Sequence, residues 1–236
     1  MTDIGFPPRY MFFSELELKP DRFREFKEAA TRIAGAFNRN LGIPWAAYTT
    51  FAGPTAAVNV MLPLASLGQL DSIPPVSKVV IDEYGEAEAD RYLRGYQQAV
   101  VRVHSYILSY LEHASSYDGW GAEMPAFLYH TRIALRPDRV GQMDDAIRRI
   151  ALAHTRHERG LSWVGYGTLA GASLVHGFVP LRRLADLESV PQASAIVLEA
   201  LGEREGAATL HEFERTILSS ESAVLQYLGH YFGGNG

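Results

Sequence analysis

Two polar residues stand at equivalent places inside two apolar segments of the sequence. His176 interrupts the segment SLVHGFVP, and Asn59 interrupts AAVNVMLP. A polar side chain inside an apolar strand needs a hydrogen-bonding partner when it is buried. The ordinary pKa of histidine lies near neutrality, which suits a general base, and a carboxamide can stabilise an anion. We predict a catalytic role for both residues, and the alternative for His176 is a core side chain that bonds to a neighbouring carbonyl group.

A second polar set lies in the segments MFFSELEL (11–18) and FLYHTRIAL (127–135). Side chains alternate between the two faces of a strand, so Glu15 shares a face with Phe13, and His130 shares one with Arg132. Glu15 and Arg132 occupy equivalent positions with opposite charges. They predict either one polar pocket or a solvent-exposed ion pair. His130 is a second candidate base, and Arg132 is a candidate anion stabiliser.

Large aromatic residues recur in the segments PWAAYTTF and SWVGYGTL. Aromatic side chains line ligand pockets and also fill protein cores. We predict that these residues form the walls of a ligand pocket, and core packing is the alternative. Alternation adds a fifth aromatic residue on the face of His176, and the predicted walls are then Trp45, Tyr48, Trp163, Tyr166 and Phe178.

The segment HTRHE (154–158) is the cluster that most resembles a metal site. His154 and His157 are three residues apart and share a helix face, but neither H-E-x-x-H nor H-x-x-E-H is present. The sequence contains no cysteine, which excludes disulfides and thiolate metal sites. We therefore predict no metal centre.

Composition and charge restrict the remaining classes of function. With 236 residues, 47% of them hydrophobic and 21% charged, the chain has the balance of a soluble globular protein. The net charge of −5 and the absence of a basic run argue against a nucleic-acid partner. No apolar run approaches the roughly 20 residues of a membrane-spanning helix. No signal-peptide pattern is visible at the first residues, so we predict a cytoplasmic protein.

The segments that must position these residues form a sequence repeat. The phrase LKPDR occupies residues 18–22, and LRPDR occupies residues 135–139, 117 positions later. The same register, with one compensated insertion, aligns Trp45 with Trp163 and Asn59 with His176. The sequence therefore predicts a tandem duplication, with one unit at residues 1–117 and a second at residues 118–236.

Each unit has the same predicted order of elements. A strand, a helix that begins after the proline, and two strands joined by a glycine turn are followed by a helix and a closing strand. We place the second helix at about residues 86–102 and 203–219, and the closing strand at 105–111 and 222–228. This order is the βαββαβ or ferredoxin-like arrangement. Its sheet has one face without helices, which two fused units can bury against each other.

With these features, the chain resembles a tandem-fused member of the dimeric α/β-barrel superfamily. The steps LKP and LRP resemble that superfamily's junction between strand and helix, and the resemblance covers about residues 10–113 and 126–232. The fold class implied is α+β, with two fused ferredoxin-like units forming an intramolecular dimeric α/β barrel. Members include antibiotic-biosynthesis monooxygenases that need no cofactor, chlorite-dismutase-like haem proteins and NIPSNAP-type proteins. The resemblance also implies that a ligand binds in the lumen between the two sheets.

These observations predict a protein that binds an apolar or phenolic small molecule and acts as a cofactor-independent, monooxygenase-like enzyme. The predicted base is His176 or His130, the anion stabilisers are Asn59 and Arg132, and Glu15 contributes to the pocket. The first alternative is a haem-binding barrel in which one histidine ligates iron. The second is a non-catalytic barrel with a structural or ligand-sensing role. Association into a homo-oligomer stays open.

Overall fold

The computed structural model describes residues 7–117 and 124–231. The chain forms two compact units. Unit 1 comprises the described residues of Met1–Thr50, Thr55–Tyr106 and Leu228–Gly236, and unit 2 comprises those of Phe51–Pro54 and Ile107–Tyr227. Each unit is an antiparallel sheet with helices, which makes the fold class α+β. The predicted division into duplicated units at residues 1–117 and 118–236 stays a prediction.

In unit 1 the strand order is β4-β1-β3-β2. The strands are β1 (Tyr10–Leu18), β2 (Trp45–Ala52), β3 (Ala57–Leu64) and β4 (Val100–Tyr110). The helices are α1 (Phe23–Asn40), α2 (Val76–Tyr84) and α3 (Glu86–Ala99). The end of β4, from Ile107 onwards, belongs to unit 2, where it pairs with residues 166–168.

In unit 2 the strand order is β8-β5-β7-β6. The strands are β5 (Phe127–Leu135), β6 (Val164–Thr168), β7 (Leu174–Leu181) and β8 (Ile217–Tyr231). The helices are α4 (Val140–Arg156), α5 (Ala193–Leu201) and α6 (Glu203–Thr216). Among the helices in the described parts of the chain, none is long and apolar enough to cross a membrane.

The two units have the same strand register. Glu15 is the cross-strand partner of Asn59 in unit 1, and Arg132 is the partner of His176 in unit 2. A side-chain hydrogen bond is repeated as well, between Ser14 and Ser105 (2.8 Å) and between Thr131 and Ser222 (3.1 Å). Both repeats follow the 117-residue offset of the sequence. They support the predicted duplication at the level of individual strand pairs.

The repeated phrase forms the same junction in both units. Lys19 has φ −69° and ψ 124°, and Arg136 has φ −67° and ψ 123°. A residue before proline is driven into this extended conformation by contact with the proline ring. The proline then opens a 3-10 turn, Pro20–Arg22 or Pro137–Arg139, and the long helix follows directly. The phrase therefore turns the chain from the sheet onto the helix layer.

One face of each sheet carries the helices. In unit 1 the buried cluster on this face joins Leu16, Leu18 and Val58 of the strands to Phe26 of α1 and Ala99 of α3. Because strand side chains alternate, the residues between them in sequence lie on the opposite face. That opposite face holds the predicted polar residues of β1, β3, β5 and β7.

Two helices were not predicted, and one boundary in each unit differs from the prediction. Helices α2 and α5 precede the predicted second helix, and Gly85 (φ 78°) and Gly202 (φ 81°) separate the paired helices. Glycine tolerates this left-handed conformation, which ends one helix and lets the next begin. The helices α3 and α6 begin at the predicted residues but end three residues earlier, because β4 and β8 begin at Val100 and Ile217. Branched side chains in these positions favour the strand.

Candidate functional site

Unit 2 brings together two of the predicted polar residues, His130 on β5 and His176 on β7. The cross-strand partner of His130 is Phe178, and that of His176 is Arg132, so the two histidines are diagonal neighbours on one face. Their side chains form a hydrogen bond of 3.1 Å between His130 Nε2 and His176 Nδ1. The rings are nearly parallel, with an interplanar angle of 10° and a centroid distance of 5.3 Å. We call this arrangement the imidazole pair.

Aromatic residues surround the imidazole pair within unit 2. The ring of Phe178 is stacked on His130 at a centroid distance of 4.7 Å and an angle of 7°. Tyr166 on β6 is the cross-strand partner of His176 and contacts Phe178 edge to face at 6.1 Å. Tyr110 at the end of β4 lies 5.7 Å from Tyr166. Two of the predicted walls, Tyr166 and Phe178, therefore adjoin the two predicted bases.

Burial keeps both imidazoles neutral. His176 has no exposed surface and His130 is 7% exposed. Loss of solvation lowers the pKa of His176 to about 3, and the charge of Arg132 acts in the same direction. Burial lowers the pKa of His130 well below its ordinary value, and the neighbouring His176 and Arg132 act in the same direction with smaller effects. A neutral imidazole has one donor and one acceptor nitrogen, so the shared hydrogen bond contains a single proton.

Arg132 is the positive group beside the imidazole pair. It is the cross-strand partner of His176 on one side and of Glu221 of β8 on the other. Its guanidinium forms an ion pair with the Glu221 carboxylate, and its side chain is 26% exposed. The predicted anion stabiliser is thus half-buried and already balanced by an acid. Glu221 was missed by the sequence analysis because the predicted closing strand began one residue later, at 222.

Tyr166 adds a phenol that stays protonated. Its side chain is 1% exposed, and burial raises the pKa of the phenol, with smaller contributions from Tyr110 and Tyr117. A buried neutral phenol donates hydrogen bonds and does not supply a negative charge at physiological pH. The face that carries the imidazole pair therefore has two neutral imidazoles, one guanidinium and one neutral phenol.

The equivalent face of unit 1 has different chemistry. Phe13 stands where unit 2 has His130, Asn59 where it has His176, and Met61 where it has Phe178. Asn59 is 2% exposed and Tyr48, its partner on β2, has no exposed surface. Phe13 is stacked with Tyr106 at 6.2 Å. The two positions of the imidazole pair are therefore occupied by histidines in unit 2 and not in unit 1, and a contribution of Glu15, Asn59 or Tyr48 to the same pocket stays a prediction.

The two predicted tryptophan walls lie next to helices. The Trp163 ring packs against the buried cluster of Ile150, Ala153 and Val197, and its Nε1 donates to the carbonyl oxygen of Ala114 at 2.8 Å. Trp45 Nε1 donates to Asn38 Oδ1 of α1 at 2.7 Å. Each tryptophan stands three residues before the tyrosine of its segment, Tyr48 or Tyr166. Alternation therefore places the tryptophan on the opposite face from that tyrosine. The structure thus does not bring Trp163 to the imidazole pair.

His154, in the HTRHE segment, has a structural environment. Its Nε2 bonds to the carbonyl oxygen of Ala193 at 3.0 Å, and its Nδ1 accepts from the N–H of Leu161 at 3.1 Å. Both ring nitrogens are therefore occupied by the backbone. Within residues 7–117 and 124–231, no group of three or more metal-ligating side chains is found.

Haem ligation by the imidazole pair can be tested against this geometry. Iron binds a neutral imidazole nitrogen, and both imidazoles are neutral. However, His130 Nε2 is engaged with His176, and the His130 ring is nearly parallel to the rings of both His176 and Phe178 and adjoins them. His130 would have to leave both ring neighbours to present Nε2 to an iron atom. The arrangement of His130 therefore does not fit a haem ligand.

Solved structures share this fold over nearly the whole chain. A candidate monooxygenase from Fusobacterium nucleatum subsp. nucleatum has a TM-score of 0.59 and 14% identity, covering 96% of this chain and 95% of that chain. An anthrone oxidase-like protein has a TM-score of 0.58 and 12% identity, covering 97% and 95%. A chlorite dismutase from Candidatus Nitrospira defluvii has a TM-score of 0.51 and 9% identity, covering 92% and 90%.

These likenesses define the class of fold. The chain shares the fold of these solved structures, and membership of the dimeric α/β-barrel superfamily stays a prediction. Identities of 9–14% establish the fold and leave the activity to the site itself. The sequence matches no protein-family model and no curated protein.

Proposed function

We propose that the protein binds an apolar or phenolic small molecule beside the imidazole pair and oxidises it with molecular oxygen, without a bound cofactor. The observation that carries this proposal is the buried, neutral pair of His130 and His176, hydrogen-bonded at 3.1 Å and flanked by Phe178 and Tyr166. A functional role for these residues is supported by their chemistry, because a pair of bases in an apolar, aromatic setting suits an acidic organic substrate. The predicted kinship with NIPSNAP-type proteins adds no further chemistry to this proposal.

The imidazole pair would act as the general base. A neutral imidazole that takes a proton from a phenolic O–H or an activated C–H shares the new charge with its neighbour through the hydrogen bond. The guanidinium of Arg132 lies on the same face as His176 and would stabilise the substrate anion. Burial weakens the bases, since the pKa of His176 is about 3, and an anion held close to the pair would raise the pKa towards its ordinary value.

Oxygen would be the oxidant. The substrate anion would transfer electrons to molecular oxygen, one oxygen atom would form a new bond to carbon, and the other would leave as water. Anthrone is a suitable first compound, since one similar structure is that of an anthrone oxidase-like protein. For this compound the balance is anthrone plus oxygen giving anthraquinone plus water. The only protein group required is a base that removes the proton and returns one to the leaving oxygen.

The test is oxygen consumption with anthrone and a panel of phenols. His176→Asn introduces the residue that unit 1 has at the equivalent position, and His130→Phe does the same for the other imidazole. We expect each change to lower the rate by about 10²-fold or more, the usual contribution of a general base. His211→Asn alters an exposed histidine of α6 and serves as the matched control. A rate that is equal in all four proteins would contradict the proposal.

A non-catalytic, ligand-sensing function is the second candidate. The complete burial of His176 favours it, because a side chain without exposed surface can serve packing as well as catalysis. Binding of a phenol without oxygen consumption would support this function. A titration with hemin distinguishes the haem alternative from both.

A further inference from the structure

A groove on unit 1 has a chemistry that the proposed function does not use. It follows the exposed side of α1, ends at Tyr84 of α2 and has a volume of about 560 Å³. A single acidic side chain, that of Glu28, lines the groove. The four cationic side chains that line it are those of Arg24, Lys27, Arg32 and Arg39. Volumes of this order are typical of small-molecule sites. The protein as a whole carries a net charge of −5, so this local excess of positive charge stands out.

Gly35 forms the floor of the groove. A Cβ atom at this position would lie 3.4 Å from Arg39 Nη1 and 3.5 Å from the Tyr84 hydroxyl. The Tyr84 hydroxyl donates to the carbonyl oxygen of Arg32 at 3.0 Å and accepts from Arg39 Nη2 at 2.6 Å. Arg39 Nε also donates to Glu83. The closed end of the groove is therefore held in place by a hydrogen-bonded network before any ligand binds.

Among the residues that the structure describes, no acidic side chain pairs with three of the four cations. Within the described parts of the chain, neither Arg24 nor Lys27 nor Arg32 forms an ion pair, and Arg32 instead lies over the ring of Tyr92 at 5.9 Å. Arg24 and Lys27 are three residues apart on the helix, so their side chains emerge side by side. The charge of Glu28 also acts on Arg91, whose pKa is raised first by its hydrogen bond to Tyr92 and then by the charge of Glu88.

Unit 2 keeps the equivalents of Arg32 and Arg39, as Arg149 and Arg156, but lacks the other features of the groove. The 117-residue offset places Gly141 opposite Arg24, Asp144 opposite Lys27, Leu152 opposite Gly35 and Leu201 opposite Tyr84. Leu152 is 43% exposed, so a side chain projects where unit 1 has an open floor. The scaffold of α1 and α4 is the same, and the basic, open groove is therefore not a requirement of the fold.

We propose that this groove binds a phosphate-bearing small molecule. Guanidinium groups match phosphate oxygens in pairs, and a lysine ammonium adds a point charge. Three unpaired cations at a groove with a closed end suit a ligand with several negative charges close together, such as a diphosphate. A carboxylate has less charge in the same volume. This site does not rest on the proposed function of unit 2.

The probe is inorganic pyrophosphate. Isothermal titration calorimetry measures its binding at low ionic strength and again at about 0.15 M salt, where exposed charges are screened. The double variant Arg24→Gln/Lys27→Gln removes two cations and leaves the floor intact. Gly35→Leu introduces the residue of unit 2 and fills the groove. The matched control is Arg148→Gln/Arg156→Gln, two exposed arginines of α4 without ion pairs among the described residues. Thermal unfolding confirms that each variant is folded.

We expect pyrophosphate to bind the wild type and the control equally. The double variant should bind it at least ~10-fold more weakly, since each charged hydrogen bond contributes about a tenfold change or more. Gly35→Leu should also weaken binding, because its side chain occupies the space of the ligand. Four results would overturn the proposal. They are no binding at low ionic strength, the same loss in the control, undiminished binding in both groove variants, and binding of an acidic peptide but not of pyrophosphate.

Discussion

His130 Nε2 and His176 Nδ1 lie 3.1 Å apart on neighbouring strands, although 46 residues separate them in sequence. The register of β5 with β7 makes this contact, because it places the two residues diagonally on one face. A slip of one residue would move one of the two side chains to the helix-covered face. The imidazole pair is thus a product of strand register, and Phe178 and Tyr166 follow from the same register.

The imidazole pair should make the protein sensitive to mild acid. Both histidines are neutral when folded, with the pKa of His176 near 3, whereas an unfolded histidine has its ordinary value of 6.5. Between these values the unfolded state binds more protons, so the free energy of unfolding falls as pH falls. The expected slope is about 1.4 kcal/mol per pH unit for each histidine. Urea unfolding followed by circular dichroism from about pH 7 to pH 4 measures it.

The variant His130→Phe/His176→Asn isolates this contribution. It lacks both buried imidazoles, so its stability should depend less steeply on pH than that of the wild type. His211→Asn is the matched control, since it removes an exposed histidine outside the imidazole pair. Equal slopes in the double variant and the wild type would show that the two histidines are not buried as neutral groups.

Arg132 should contribute to ligand affinity through its charge. Arg132→Gln removes the guanidinium beside His176 and leaves Glu221 unpaired. We expect phenol binding to weaken by about 1–3 kcal/mol, the usual effect of losing a charged hydrogen-bonding partner. Anaerobic calorimetry with the phenol measures binding apart from oxidation. Glu221→Gln is the control, because it removes the acid of the ion pair and retains the cation, and unchanged affinity in Arg132→Gln would contradict the assignment.

A chain that ends at Tyr117 should not remain a soluble monomer. The helix-free face of the unit 1 sheet carries large apolar side chains that are buried in the whole chain, among them Phe13, Tyr48 and Met61. Exposure of such a face drives aggregation or self-association. Sedimentation velocity on the shortened chain distinguishes the outcomes, and a stable soluble monomer would contradict the prediction.

A haem titration should separate the haem alternative from the cofactor-free one. Because His130 Nε2 is engaged with His176, and His176 has no exposed surface, we expect hemin to give the same absorption spectrum with the wild type and with His130→Phe/His176→Asn. A shift of the Soret band in the wild type that is lost in the variant would assign iron ligation to the pair and favour the haem alternative.

Much of the fold could be predicted from the sequence because each element is written twice. The strand at 127–135 has the predicted bounds, and α3 and α6 begin where predicted. The nine-residue helices α2 and α5 were missed, since each follows a 3-10 turn and is too short for a clear helical period. The start of β4 at Val100 was assigned to the preceding helix, although Val100, Val101 and Val103 favour a strand.

The candidate site was predictable in its residue types and only partly in its contacts. Alternation placed His130 and Arg132 of one strand and His176 and Phe178 of another on the same helix-free face, and the β5–β7 register pairs them there. The hydrogen bond between the histidines depends on the β5–β7 register, which the sequence does not specify residue by residue. Trp163 illustrates the limit of counting from a strand end, because it precedes β6 and packs against α4 instead.

The most direct test of the central claim is oxygen consumption with anthrone by the wild type and by His176→Asn, measured beside anaerobic binding of the same compound. We expect that both proteins bind anthrone, that the wild type consumes one oxygen molecule per anthraquinone formed, and that the variant is slower by about 10²-fold or more. If the wild type binds the compound and consumes no oxygen, or if the variant is as fast as the wild type, the imidazole pair is not the base of an oxidation.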